Sequence, residues 1–378
     1  MIPIDQKRIV HIEKARKVVL KLGTRVLLSH HNDMNKSRIE KLVDDIVAFR
    51  NQGYQFSIVT SGAVGFGMNL MGVAKRPTDL KKIQALASIG QSLLMQKWNR
   101  VFSRHDIHVG QILLTYDVIE NRKRFLYARD CLNALIEYGI IPVVNENDSV
   151  AVDELKFGDN DTLSALTAHL MDADLLVLFT DTDGIYTGNP HENAQAMRIS
   201  YVDSITEELF KGIEDAKNDL SIGGMKSKLM AADFSVKGGT AVVIAEGYKP
   251  NLKAILEGRD VGTFIRPDAR TVRNKKRWIF SNQKIKGKIY IDRGAEEAIV
   301  HRLKSLLPGG VVKTEKNFAE GSIVGIYNLQ EKLVGKGISY FSGRDLEKIK
   351  GHKTDEIKKI LGEDTYEEVV HRDNLIIL

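Results

Sequence analysis

Val143–Ala165 reads VVNENDSVAVDELKFGDNDTLSA, and the placement of its two polar clusters decides the fold. The apolar run Ile140-Ile141-Pro142-Val143-Val144 has the length and continuity of a buried strand. It stops at Asn145-Glu146-Asn147-Asp148. After a mixed stretch come Gly158-Asp159-Asn160-Asp161, and Thr162 opens a segment of helical spacing: Leu163, Leu166, Thr167, Leu170. Asp, Asn and Thr offer the oxygen acceptors that a helix start needs. One cap needs one such side chain, so two clusters exceed what folding requires. One follows a strand end and the other a helix start, and in open α/β sheets ligands bind at strand ends of this kind. A polar-ligand site and ordinary capping chemistry are both consistent with the local pattern.

The same alternation recurs on either side. Lys17–Leu22 (KVVLKL) reads as a strand closed by Gly23-Thr24, and Lys21 by itself reads as a snorkelling strand lysine. Gln55–Thr60 reads as a strand that enters Ser61-Gly62-Ala63-Val64-Gly65-Phe66-Gly67. A glycine-rich turn between strand and helix can aim backbone N–H groups at an anion, or it can be a tight turn. It matches neither GxxxxGK[ST] nor GxGxxG. Asp174–Phe179 is a strand ending in Thr180-Asp181-Thr182-Asp183. Leu220–Lys228 (LSIGGMKSK) places two glycines before a helix whose first turn holds Lys226 and Lys228. Cations there oppose the macrodipole by roughly a few tenths of a kcal/mol, a cost that a bound phosphate reverses. Val109–Thr115 and Ala241–Ala245 are further strands. Ser37–Phe49, Leu80–Phe102, Asn121–Tyr138 and Ser204–Ile213 carry helical periodicity. The Ala/Gly/Ser face of Leu80–Phe102 suits close packing on another helix, or a subunit interface. The expected fold class is α/β, a mostly parallel sheet sandwiched by helices.

That regime ends near Arg266. Residues 1–266 form the expected first domain, and the polar, basic segment Pro267–Arg277 a linker. Residues 278–378 form a small mixed β-barrel domain with a tail. Its expected strands are Lys288–Ile291, Gly310–Lys313, Ser322–Tyr327 and Leu333–Ser339, around one helix, Ala295–Leu307. Two domains suit 378 residues, and 43% hydrophobic with 28% charged residues describes an ordinary soluble protein. The net charge of +6 accommodates anionic partners without requiring them. A single cysteine, Cys131, excludes an intramolecular disulfide, and its neighbours Leu132 and Leu135 suggest a small buried residue. His30-His31-Asn32-Asp33 lacks the companions of a metal site and reads as a solvated loop. With no signal peptide, and no apolar run near the roughly 20 residues of a membrane span, the expected location is the cytoplasm.

Taken together, KLGT (Lys21–Thr24), VTSGAVGFG (Val59–Gly67), VGQILLT (Val109–Thr115), NEND (Asn145–Asp148), GDND (Gly158–Asp161), TDTDGIYTGNP (Thr180–Pro190) and GGMKSK (Gly223–Lys228) resemble the glutamate 5-kinase group of the amino acid kinase family, followed by a PUA domain. The resemblance covers nearly the whole chain, and the NEND/GDND pair is its most specific part. It implies the amino acid kinase fold and ATP-dependent phosphorylation of the L-glutamate side-chain carboxylate, the first step of proline biosynthesis. It further implies ATP and Mg²⁺ as cofactors, proline as inhibitor, a homo-oligomer (dimer or tetramer) and a glutamyl phosphate reductase as consumer of the product. Carried over by motif, Lys21 and Lys228 act on the phosphates, and Asp161 positions the lysines. Ser61, Gly62, Asp148, Asn160 and Asn145 hold the substrate. Thr180, Asp181 and the loop residues Ile222, Gly223, Gly224, Met225, Lys226, Ser227 and Lys228 hold the nucleotide, with Mg²⁺ carried mainly by its phosphates. Arg25, Ile222 and Lys226 depart from the family's usual residues and are expected to adjust nucleotide or anion contacts.

These residue types suit that chemistry. A glutamate carboxylate, which ordinarily titrates near about pH 4.3, is already ionised at neutral pH and needs no general base. Phosphoryl transfer needs in-line positioning and cancellation of charge, which lysines, Mg²⁺ and helix N-termini supply. Two alternatives stay open. One is an amino acid kinase acting on acetylglutamate or aspartate. The other is an RNA-binding protein acting through the PUA-like domain and its basic linker.

Overall fold

The computed structural model describes residues 2–29, 33–115, 118, 122–150, 160–188, 195–215, 224–268, 285–315, 317–352, 354–362 and 366–378. The chain divides into two compact units, Met1–Thr271 and Val272–Leu378. The expected linker, from residue 269 on, lies outside the described residues, as do His30, His31 and Asn32.

The strands of the first unit are β1 (Lys17–Leu22), β2 (Gln55–Thr60), β3 (Val109–Leu114), β4 (Ile141–Glu146), β5 (Leu175–Thr180), β6 (Tyr201–Val202), β7 (Ala241–Glu246) and β8 (Thr263–Ile265). Its helices are α1 (Gln6–Ile12), α2 (Thr24–Leu27), α3 (Lys36–Arg50), α4 (Ala63–Leu70), α5 (Leu80–Phe102), α6 (Arg122–Glu137), α7 (Asn160–Met171), α8 (Glu207–Asp215), α9 (Gly224–Lys237) and α10 (Leu252–Leu256). The sheet order is β3-β4-β2-β1-β5-β7-β8-β6, parallel throughout except where β8 runs antiparallel to β7. β1 is central, with Lys21 opposite Val59 of β2 and Leu178 of β5. The chain leaves β1 towards β2 on one side and later returns to β5 on the other. β1 therefore flanks a topological switch point, where a crevice opens at the carboxyl ends of the strands.

Strand parity sorts the side chains between the two faces. Val18, Leu20 and Leu22 of β1 join the core beneath α3 and α5, along with Leu175, Val177 and Phe179 of β5 and Ile141 and Val143 of β4. With a side-chain period of two, Val19 and Lys21 face the other side, as does Thr180. Asn145 stays on the α5 side. Helix α5 is capped by Asp79, whose side chain accepts from the Lys81 N–H, and buries Leu86, Ala87, Gly90, Leu94 and Trp98 along one stripe. Its small-residue face is occupied within the chain. A Cβ at Gly90 would collide with the Ala63 carbonyl oxygen, and one at Gly67 with that of Leu86, so only glycine allows α4 and α5 to cross this closely.

In the second unit, β9 (Gly287–Ile291), β10 (Val311–Glu315), β11 (Ile323–Tyr327), β12 (Leu333–Ile338) and β13 (Leu375–Ile377) form a mixed sheet in the order β10-β9-β11-β12-β13, with β9 parallel to β11. Helices α11 (Arg293–Val300), α12 (Gly343–Ile349) and α13 (Thr354–Leu361) accompany it. Ile289, Ile291, Val324, Ile326, Leu346 and Ile349 belong to its separate core.

Several expectations needed correction, and the second domain holds a further helix, α12, beside the one expected among its strands. Helix α11 ends at Val300 rather than Leu307, because Leu303 adopts a left-handed φ of 50° and Leu306 then bridges to Val370. Cys131 is exposed rather than buried: on α6 it sits one residue before Leu132, which takes the buried direction. Strand β4 continues through Asn145 and Glu146 instead of stopping at Val144. Ladder pairing with Leu113 and Leu114 of β3 does not depend on side-chain polarity.

Candidate active site

The site sits at the carboxyl edge of β1, β2, β4 and β5, and one carboxylate organises it. Helix α7 starts at Asn160, earlier than the apolar periodicity suggests, which places Asp161 in its first turn. Asp161 is fully buried. Its Oδ1 lies 2.5 Å from Lys21 Nζ, and its Oδ2 lies 3.2 Å from Lys228 Nζ. The Ser227 hydroxyl also donates to Oδ2, at 2.9 Å. Lys21 and Lys228 are 3% and 7% exposed, so neither snorkels to solvent, and the single-residue reading of Lys21 does not hold. Two ammonium groups thus converge on one carboxylate in a shielded place, an arrangement suited to binding an anion.

Lys21 comes from the strand edge and Lys228 from α9, whose first turn holds no acidic residue. Lys228 Nζ also donates to the Gly224 carbonyl at 2.9 Å, which folds the side chain back along its own helix. Lys226, two residues earlier, is exposed, whereas Lys228 is buried. Residues two apart on a helix point roughly 200° from one another. Met225 is half-buried, and Ile222 and Gly223 lie outside the described residues.

A second half of the site is built from amides. Asn160 Nδ2 donates to the Thr60 carbonyl at 3.0 Å, to Ser61 Oγ at 2.6 Å and to Asn145 Oδ1 at 3.2 Å. The Glu146 backbone N–H donates to the same Asn145 oxygen at 2.9 Å, and Asn145 Nδ2 donates to Gln91 Oε1 at 2.9 Å. Next to Ser61, Gly62 has φ 107°, a left-handed conformation that lets β2 turn sharply into α4. Asp148 is half-buried in the turn beyond β4, where Ser88 of α5 donates to the Ser149 hydroxyl at 3.1 Å. Residues from β2, β4, α5 and α7 thus converge, although Gln91 and Asn160 are far apart in sequence.

At the end of β5, Thr180 Oγ1 donates to Asp181 Oδ1 at 3.0 Å, and Arg25 of α2 pairs with Asp181 Oδ2 at 3.1 Å. The Asp181 carboxyl is held below the ordinary carboxylate range. Burial works against ionisation, but the Thr180 hydroxyl, the residue's own N–H, Arg25 and the charge of Lys228 together outweigh it. Arg25, at a family departure, therefore anchors a site carboxylate. Gly247, just after β7, donates its N–H to the Thr180 carbonyl at 2.7 Å, and a Cβ there would collide with a Val26 methyl group.

Gln91 is the site residue that motif reasoning missed. The signal in the sequence was a half-buried glutamine beside the buried stripe of α5, between Ala87 and Leu94. Among the described residues no group of three or more His, Cys, Asp or Glu is arranged to hold a metal ion. No helix among them is long and apolar enough to cross a membrane. On the second unit, Tyr290 and Tyr327 pair at 5.5 Å with Lys288 and Lys313 over their rings, but Glu315 takes both lysines, at 3.7 and 2.6 Å.

Comparison with known proteins agrees with this architecture. Residues 16–246 match the amino acid kinase family and residues 287–361 the PUA domain. A glutamate 5-kinase from Moorella thermoacetica is 42% identical over 368 residues, covering 97% of this chain and 97% of that protein. A glutamate 5-kinase from Carboxydothermus hydrogenoformans is 40% identical, covering 97% and 99%. Among solved structures, a carbamate kinase from Giardia lamblia aligns with a TM-score of 0.49 at 15% identity, covering 68% of this chain and 100% of that one. By the extent of the family match and the full-length identity of its relatives, this chain belongs to the amino acid kinase family.

Proposed function

We propose that this chain transfers the γ-phosphoryl group of ATP to the side-chain carboxylate of L-glutamate, yielding γ-glutamyl phosphate and ADP and opening proline biosynthesis. The observation that carries this reading is the Lys21–Asp161–Lys228 cluster beside the Asn145–Asn160–Ser61 amide group, in a chain about 40% identical end to end to glutamate 5-kinases. A carboxylate oxygen of glutamate attacks the γ-phosphorus, the bond to the β–γ bridging oxygen breaks, and its electron pair leaves on ADP. No proton moves, because the nucleophile is ionised at neutral pH. Asp161 is then a holder of lysines and not a base: both its oxygens are engaged by cations.

Lys21 and Lys228 offset the charge that develops on the migrating group and its bridging oxygen. Thr180, Asp181 and Gly224–Lys228 hold the nucleotide. The absence of acidic residues from the first turn of α9 suits polyphosphate. Mg²⁺ would supply further charge neutralisation and would be held mainly by the nucleotide, since the Asp161 oxygens are already engaged by lysines. Ser61, Gly62, Asn145, Asp148 and Asn160 orient the amino acid, with the Asp148 carboxylate suited to its α-ammonium. Because acyl phosphates hydrolyse readily, a reductase must take up the product promptly. Feedback by proline and a homo-oligomeric state belong to the same reading.

A coupled ADP-release assay with ATP and Mg²⁺ tests it. L-Glutamate should be turned over well ahead of N-acetylglutamate and aspartate, because an acetylated amine offers no charge to Asp148. Lys228→Ala should lose turnover by about 10²–10³-fold, the scale of removing one group that stabilises transition-state charge. Preference for acetylglutamate, or a Lys228→Ala enzyme that keeps most of its rate, would overturn the assignment.

A further inference from the structure

The amide group of the site is a directional relay, and its direction follows from two backbone atoms whose roles are fixed. The Glu146 N–H can only donate, so the Asn145 atom it meets at 2.9 Å is oxygen. The nitrogen of that amide must then be the atom facing Gln91, and it can only donate, so Gln91 presents Oε1 to it. At the other end the Thr60 carbonyl can only accept, so the Asn160 atom at 3.0 Å is nitrogen. The relay therefore leaves Gln91 Nε2, a donor, at one end and Asn160 Oδ1, an acceptor, at the other. Both atoms are buried and have no hydrogen-bond partner among the described residues. Buried polar groups are nearly always paired, and those left over at a binding site are where a ligand completes the set.

Position along the relay separates the two ends of the substrate. At the Asn160 end the unpaired Oδ1 can only accept and so suits the substrate's α-ammonium, while the reacting carboxylate goes to the lysines on the neighbouring Asp161. Gln91 is the far end, reached only through Asn145. We propose that Gln91 Nε2 donates a hydrogen bond to the substrate's α-carboxylate and that Gln91 thereby selects amino acids with a free, ionised α-carboxyl group. This rests on the proposed phosphorylation of glutamate and adds a residue and a selectivity that the motifs do not assign. Gln91→Glu preserves shape and the acceptor for Asn145 while replacing the donor by a negative oxygen, which repels a carboxylate but can accept from a carboxamide.

The experiment compares L-glutamate with its α-carboxamide, whose side-chain carboxylate remains free to be phosphorylated, in wild type, Gln91→Glu and Gln91→Met. Wild type should favour glutamate by at least about tenfold in kcat/KM, the value of one hydrogen bond to a charged group. In Gln91→Glu that preference should shrink or invert through the KM for the amino acid, with the KM for ATP unchanged. Gln91→Met should bring the two substrates close to parity. An unchanged preference in either folded variant overturns the inference, because a purely structural role would lower both substrates alike. Failure of both variants to fold would assign Gln91 to structure and overturn it as well. A wild type inactive on glutamate would refute the parent reading instead, and with it this one.

Discussion

Asp161→Asn is the sharpest perturbation of the site, because one atom change removes the negative charge on which Lys21 and Lys228 converge. Breaking a buried ion pair by deleting one partner costs about 3–5 kcal/mol. The lower end applies here: Lys228 keeps the Gly224 carbonyl at 2.9 Å and retains slight exposure, so some of its charge stays solvated. A loss of about 3 kcal/mol in a unit of this size lowers Tm by roughly 6–12 °C. Scanning calorimetry on the full chain, with and without a non-hydrolysable ATP analogue and Mg²⁺, measures it. The polyphosphate supplies the missing negative charge, so the ligand-induced rise in Tm should be larger in the variant than in wild type. Turnover should fall by about 10²-fold or more, since lysines no longer held by a common carboxylate lose their placement. A variant that loses under about 1 kcal/mol, keeps turnover within about threefold and gains no extra stabilisation from nucleotide would refute the claim that Asp161 holds the two cations.

Two further outcomes follow from other parts of the fold. Gly90→Ala drives a methyl group into the Ala63 backbone, where no flexible side chain can yield, so it should cost about 3 kcal/mol, at the upper end of overpacking. Because α4 begins at the Ser61-Gly62 turn, its KM for glutamate should rise more than its KM for ATP, and chemical denaturation with steady-state kinetics reads both. Asp260 sits against Ser200, Arg198 and the buried Arg8; burial opposes its ionisation, yet these partners hold its carboxyl below the ordinary range. A folded-state pKa below the unfolded value stabilises at neutral pH, and that stabilisation is lost as the pH falls through the folded value. Asp260→Asn should therefore be less stable than wild type at neutral pH, with the gap closing below about pH 4. Denaturant melts across that range giving a pH-independent gap would contradict it.

Most element boundaries of the first unit were readable from hydrophobic periodicity. KVVLKL and QFSIVT coincide with β1 and β2, and the Leu80–Phe102 stripe with α5. Two of the failures share a cause: they arise where backbone geometry and not side-chain character sets the outcome. Strand pairing carried β4 past its apolar residues, and a left-handed Leu303 cut α11 short. Cys131 went wrong for a different reason, since a one-residue error in helical phase turns a side chain by roughly 100°. In the candidate site, the motif residues Lys21, Ser61, Asn145, Asn160, Asp161 and Lys228 come together, whereas Gln91 lay outside the motifs and carried no local sign of its partner.

Local sequence determined that Lys21 lies near the end of a buried strand, that Asp161 stands at the start of a helical segment opened by Thr162 and that Lys228 follows a glycine pair, because periodicity and capping are properties of neighbouring residues. It could not determine that these side chains meet. The parity of β1 sends Lys21 to the α7 face, and the parity of β4 sends Asn145 to the α5 face. Only the parallel sheet, with β1 at its switch point, brings both to one edge. Convergence of charges and amides drawn from distant segments is a property of strand order and register, which no single stretch of the chain encodes.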